Sequence, residues 1–175
     1  MQKAAFLDRD GVINRKAPGN GYITTWKDME ILPGVPDSIA KLNNAGFQVI
    51  VVSNQRCVAK GLITIAGLES LHDRMREHLA QSKARIDAIY YCPHETSPPC
   101  RCRKPQPGML LDAARDHNID LAQSWMIGDS AVDVEAGRRA GCRTILLANG
   151  QRPPEREADL IGTSLAEVVE RILKR

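Results

Sequence analysis

Asp8 and Asp10 stand two residues apart where the apolar run Ala4-Ala5-Phe6-Leu7 gives way to Gly11. Side chains two apart on an extended chain point the same way, so the two carboxylates converge if strand geometry persists into the turn. Two acids held together repel, and the arrangement persists only with a cation, a shared proton or a chemical task. The competing reading is a solvated turn, because Asp and Gly are ordinary turn residues.

A second constellation lies far downstream. Cys92-Pro93-His94 and, five residues later, Cys100-Arg101-Cys102 place three thiols and one imidazole within eleven positions. That donor set suits a closed tetrahedral zinc site, which leaves no position for water and is therefore structural and not catalytic. Arg103-Lys104-Pro105 follows directly, so a stapled loop over 92–102 would fix the approach of two cations. Lys104 could then neutralise phosphate charge near the aspartates, the alternative being a solvated basic pair.

These residues need elements to carry them. Ala4–Leu7 reads as a short buried strand, and Val49-Ile50-Val51-Val52 as one buried on both faces, delivering Ser53-Asn54-Gln55. A hydroxyl followed by amides at a strand end can hold phosphate oxygens, or can simply cap the strand. Asp87–Tyr91 is a third strand, running into the cysteine cluster. Trp125-Met126-Ile127 is a fourth, ending in Gly128-Asp129-Ser130 with Asp133 beyond, and Thr144–Leu147 a fifth. Between them, helical spacing is expected over Asp37–Asn44, from Thr64 (as the cap) through Leu79, over Pro107–His117, up to Gly141, and finally over Leu165–Ile172. His72 and His78 read as surface or rim residues, and His117 as a helix terminus. Strand ends bearing acids or a hydroxyl, each followed by a helix, imply an α/β fold with a doubly wound, mainly parallel sheet and one converging rim.

Arg15–Lys27 has no sustained periodicity and reads as a long loop beside the first strand's end. Within it, Gly19-Asn20-Gly21-Tyr22 either touches a substrate or makes a plain surface excursion. Gln151–Asp159, with Pro153-Pro154, reads as a polar surface loop.

With 175 residues the chain fits a single domain over 1–175. Its 43% hydrophobic and 26% charged residues are ordinary for a globular protein, and a net charge of +3 does not by itself imply nucleic acid. No apolar stretch approaches the roughly 20 residues that span a bilayer. Five cysteines, an odd number, favour metal ligation in a reducing compartment, and the expected location is cytoplasmic.

Together the motifs resemble the haloacid dehalogenase (HAD) superfamily of phosphatases over most of the chain. Asp8-Arg9-Asp10-Gly11 is similar to its first motif, Ser53 to its second, Lys104 to its third, and Gly128-Asp129-Ser130 with Asp133 to its fourth. The resemblance implies that Asp8 is a nucleophile and Asp10 a general acid/base. It further implies Mg²⁺ held by Asp8, the backbone carbonyl of Asp10, and Asp129, with Ser53 on the phosphoryl oxygens and Asp133 orienting the rim. The Cys-x-His … Cys-x-Cys-Arg-Lys-Pro segment resembles the small, cytoplasmic, capless branch that acts on heptose bisphosphate or histidinol phosphate, and the zinc loop would act as a partial lid. Arg56, Arg103 and Lys60 are cations near the rim, which favours a doubly phosphorylated sugar over a cationic substrate. Asn54, Gln55, Arg56 and Arg103 are thus candidate substrate contacts beside Gly19–Tyr22. Arg56-Cys57 departs from the pattern, which usually continues with small residues after Gln55. The expected partner is a small sugar phosphate met by a monomer. A receiver-like module that only accepts phosphate on Asp8 is the reading from another class, and Asp10 argues against it.

Overall fold

The computed structural model describes residues 1–148 and 158–174. Most of the expected loop over 151–159 lies outside them. Six strands form one sheet: β1 (Lys3–Leu7), β2 (Phe47–Asn54), β3 (Ala88–Cys92), β4 (Trp125–Gly128), β5 (Arg143–Leu147) and β6 (Leu160–Gly162). All neighbours pair in parallel, in the order β3-β2-β1-β4-β5-β6. The sixth strand was not expected. Three residues are too few to show a period, and β6 is defined by its pairing to β5 and by Asp159, whose carboxylate accepts from Thr144 N at 2.7 Å and Thr144 Oγ1 at 2.9 Å.

The helices are α1 (Val35–Asn44), α2 (Ile65–Ala80), α3 (Gly108–Asp116), α4 (Ala131–Ala140) and α5 (Leu165–Leu173). Strand parity sorts them into two layers. Ala5, Leu7, Val49, Val51 and Ile127 pack with Ile39 of α1, Met75 of α2 and Val169 of α5. Ala4, Phe6, Ile50, Val52 and Met126 pack with Leu110 of α3 and Ala136 of α4. Burial on both faces is why these strands read as continuous apolar runs. Thr64 caps α2 as expected, accepting from Gly67 N at 3.0 Å.

The order places β1 centrally, with the chain winding outward through β2 and β3 and then returning to β4 on the other side. The crevice beyond the carboxyl ends of β1 and β4 is therefore the topological switch point, where open α/β sheets take their ligands. The Asp8 N–H donates to Ile127 O at 3.0 Å, so the β1–β4 pairing continues right up to the first acid. Among the described residues, no helix is long and apolar enough to cross a membrane.

Candidate active site

Asp8 leaves β1 nearly buried, and its Oδ1 accepts from the Arg9 backbone N–H at 2.8 Å and lies 2.9 Å from Lys104 Nζ. Lys104 is itself buried, and its ammonium also meets Asp133 Oδ1 at 2.6 Å and donates to Val52 O at 2.8 Å. Burial pushes the Asp8 carboxyl up to about 7, with Lys104 pulling it down and Asp133 and Asp10 pushing it further up. Burial pulls Lys104 down, but Asp133 and Asp8 outweigh it and hold the ammonium charged.

Asp129 follows β4 directly. Its Oδ2 pairs with Lys16 at 2.7 Å, while its Oδ1 is buried with no hydrogen-bond partner among the described residues. Burial pushes Asp129 upward and Lys16 opposes it. Two glycines make room for these acids: a Cβ on Gly11, whose φ is +94°, would lie 1.9 Å from Asp129 Oδ2, and one on Gly128 would lie 2.1 Å from Asp133 Cβ. Asp133 stands in the first turn of α4, where its Oδ2 accepts from the Ser130 N–H at 3.1 Å and from the Ser130 hydroxyl. Asp8, Asp129 and Asp133 each offer a carboxylate oxygen within 4.8 Å of the others. Three acids around one point, each at least partly buried and one with an orphaned oxygen, fit a hard divalent cation.

Among side-chain carboxylates, Asp133 accompanies the expected Asp8 and Asp129. The Asp10 carboxylate is not one of the three; it accepts from Arg9 NH2 at 3.1 and 3.0 Å, Asn14 Nδ2 at 2.9 Å and Gln55 Nε2 at 3.1 Å. Its carboxylate is thus held by three side chains. Gln55 Nε2 also donates to Ser53 Oγ at 2.8 Å, so one amide bridges the ends of β2 and β1.

The cysteine cluster assembles at the end of β3. Cys92 Sγ lies 3.6 Å from both His94 Nδ1 and Cys100 Sγ; Cys102 Sγ lies 3.2 Å from His94 Nδ1 and 3.4 Å from Cys100 Sγ. Zinc bond lengths give tetrahedral edges of about 3.8 Å between sulfurs and about 3.6 Å between sulfur and nitrogen, so these four atoms fit that ion. Burial pushes Cys102 up to about 12, with Cys92 and Cys100 adding to it. Cys100 is pulled down to about 6 against burial by the Arg103 N–H and its neighbouring ligands.

The remaining expected contacts separate. Both ends of the Asn54 amide are taken by the Lys104 backbone, and Gln55 is buried in the bridge just described. Arg56 pairs with Glu95 at 2.6 Å, tying the β2 loop to the cysteine loop, and Arg103 NH1 donates to His94 O at 3.4 Å. Gly21 and Tyr22 line an open pocket of about 420 Å³ with Arg15, Lys16 and Ile23, and Lys60 Nζ lies 5.5 Å from the Tyr22 ring centre. Gly19 is exposed and Asn20 is exposed, and neither lines that pocket.

One expectation is corrected outright. His72 is 3% exposed and touches Arg9 NH1 through Nε2 at 3.2 Å, whereas His78 is exposed beside Trp26. A polar residue on the buried side of an amphipathic helix reads as a rim residue until its partner is known, and that partner is 63 positions away. Arg9, Asn14 and Lys16 escaped notice for a related reason. Charged and amide residues in a turn look solvated, and only their convergence on Asp10 and Asp129 distinguishes them.

Residues 101–173 match the family model of HAD-hydrolase-like proteins. Over nearly its whole length the chain is similar to D-glycero-beta-D-manno-heptose-1,7-bisphosphate 7-phosphatases. It is 38% identical over 173 residues to that of Pseudomonas aeruginosa, covering 96% of each chain. It is 40% identical over 183 aligned positions to that of Escherichia coli K12, covering 98% of this chain and 94% of the relative. Among solved structures, the D,D-heptose 1,7-bisphosphate phosphatase of B. bronchiseptica, complexed with magnesium and phosphate, matches with a TM-score of 0.87 at 38% identity over 98% of each chain.

Proposed function

The chain belongs to the heptose-bisphosphate 7-phosphatase family of HAD-like phosphatases, and from that membership we propose that it removes the 7-phosphate of D-glycero-D-manno-heptose 1,7-bisphosphate. The observation that carries the reading is the meeting of Asp8, Lys104, Asp129 and Asp133 at the β1–β4 switch point, with Asp10 held beside them.

Asp8 is the nucleophile. Its carboxylate attacks phosphorus in line, and an Asp8 O–P bond forms as the P–O bond to the sugar breaks. Asp10, ionised against Arg9 at rest, takes up a proton as the anionic ester enters and delivers it to the departing alkoxide. Water then attacks the aspartyl-phosphate, Asp10 takes up a proton from it, and cleavage of the Asp8 O–P bond releases inorganic phosphate. Lys104 keeps Asp8 oriented and offsets the negative charge that gathers there. Ser53 Oγ accepts from Gln55 Nε2, which leaves its own proton to donate to a phosphoryl oxygen.

Mg²⁺ is the expected cofactor, held by Asp8, Asp129 and the Asp10 carbonyl, with Asp133 adjoining; bound there it supplies the charge neutralisation that lets an anionic ester approach a carboxylate. The near-tetrahedral edges support a structural Zn²⁺ on Cys92, His94, Cys100 and Cys102. Arg103 and Lys60 stand near the rim as cations suited to a second anionic group on the substrate. A reducing, cytoplasmic setting agrees with five free cysteines, and a monomer is the expected state.

The test is phosphate release from the heptose bisphosphate and from histidinol phosphate. The reading expects kcat/KM for the bisphosphate to exceed that for histidinol phosphate by at least tenfold. A preference for histidinol phosphate would replace the substrate while leaving the chemistry. Single, persistent labelling of Asp8 without turnover would replace the chemistry as well.

A further inference from the structure

Arg9 is the largest fully buried side chain of the molecule among the described residues, at 1% exposure, and it lies between the two catalytic acids in sequence. A guanidinium cannot shed its charge, so burying one requires an anion and well-placed acceptors. Asp10 supplies the anion: NH2 donates to Oδ1 at 3.1 Å and to Oδ2 at 3.0 Å, and to Ile23 O at 3.4 Å. NH1 turns the other way, to His72 Nε2 at 3.2 Å.

Arg has only donors, so His72 Nε2 is the acceptor and its proton sits on Nδ1. Burial, seconded by the Arg9 charge, pushes His72 down to about 3, which keeps the imidazole neutral and able to accept. His72 is set in α2 between the buried Leu71 and Met75 and meets the Tyr91 ring of β3 edge-on at 5.7 Å. The position of Arg9 is thus referenced to a packed helix and not only to the turn that bears it.

We propose that His72 and Arg9 are positioning residues for the proton-transferring carboxylate: His72 aims the Arg9 guanidinium, which fixes the rotation of Asp10 toward the leaving alkoxide. The proposal rests on Asp10 being the general acid of the reaction above. Asn14 and Gln55 tether the same carboxylate, but each reaches one oxygen, whereas Arg9 spans both. A carboxyl oxygen that is turned slightly off the leaving group loses much of the rate of proton transfer, because such transfer depends on a near-attack geometry.

Leaving groups separate this from a general structural role. An alkoxide needs a proton as it departs; p-nitrophenolate is a stable anion and does not. kcat/KM should therefore be measured for the heptose bisphosphate and for p-nitrophenyl phosphate in wild type, H72L, H72Q, R9K and D10N, with folding followed by thermal melts. H72L is expected to lower the alkyl-to-aryl ratio about tenfold, with the loss on the bisphosphate in kcat and its KM within twofold of wild type. H72Q, whose amide oxygen can accept from Arg9, should return the ratio to within about threefold of wild type. R9K, whose single ammonium cannot span Asp10 and reach His72, should repeat the H72L effect and carries the test should H72L not fold. A ratio within twofold of wild type in the folded variants overturns the positioning role, as does a loss shared equally by both substrates. D10N tells the two levels apart: a lowered ratio in D10N with none in H72L or R9K sinks only the relay, whereas an unchanged ratio in D10N sinks the general-acid reading and the relay with it.

Discussion

Asn54 and Lys104 are clamped together in both directions: Asn54 Nδ2 donates to Lys104 O at 3.1 Å and the Lys104 N–H donates to Asn54 Oδ1 at 3.0 Å. The end of β2 thereby holds the backbone of the lysine whose ammonium reaches Asp8 and Asp133. The amide expected to touch substrate has both its ends engaged by the Lys104 backbone.

Removing that clamp should reduce activity without removing any charged group from the site. Asn54→Ala leaves a buried N–H and a carbonyl of Lys104 without their partner, and about a tenfold to hundredfold loss in kcat/KM is expected. Asn54→Asp keeps the acceptor and loses the donor, so it should fall between. Steady-state kinetics on the three proteins check the order.

Asp8→Asn should abolish turnover, with at least about a 1000-fold loss, and yet not lower the melting temperature. Burial is the largest influence on Asp8 and it penalises the charged form, so a neutral isostere relieves that penalty. Lys104 keeps Asp133 as its counter-charge. Phosphate release and a thermal melt on the same preparation test both halves.

One zinc per chain is expected by elemental analysis of protein purified without chelator. Stripping it should loosen the loop that carries Arg103 and Lys104 and cut activity several-fold, while the Mg²⁺ concentration for half-maximal activity stays within twofold. Full activity after verified removal would separate the cysteine cluster from catalysis.

His72 also makes an acid-stability signature. Its folded value, about 3, lies below the unfolded value of 6.5, so between these the unfolded chain binds more protons. Stability from this group is fully present above pH 6.5 and is lost as pH falls toward 3, at up to about 1.4 kcal/mol per pH unit. His72→Gln has no such proton, so urea midpoints of wild type and variant should diverge progressively below pH 6.5 and run parallel above it. Parallel curves throughout would contradict a buried neutral imidazole.

The sequence by itself determined whatever depends on near neighbours. The apolar runs of β1, β2 and β4 and the helical spacing between them place Asp8, Ser53 and Asp129 at strand ends, and Cys92, His94, Cys100 and Cys102 are close enough in the chain to share an ion wherever the loop goes. Helix and strand bounds moved by a residue or two, and β6 was missed because three residues carry no period. Tertiary structure alone decided the partners. Asp133, on the buried side of α4, joined Asp8 and Asp129, while the Asp10 carboxylate turned to Arg9, Asn14 and Gln55; Asn54 was claimed by Lys104, 50 positions on, and Arg9 by His72, 63 positions on. Strand and helix periods are local properties of the backbone. Which buried donor meets which acceptor depends on sheet order and layer packing, because a desolvated polar group must find its partner wherever the fold puts one.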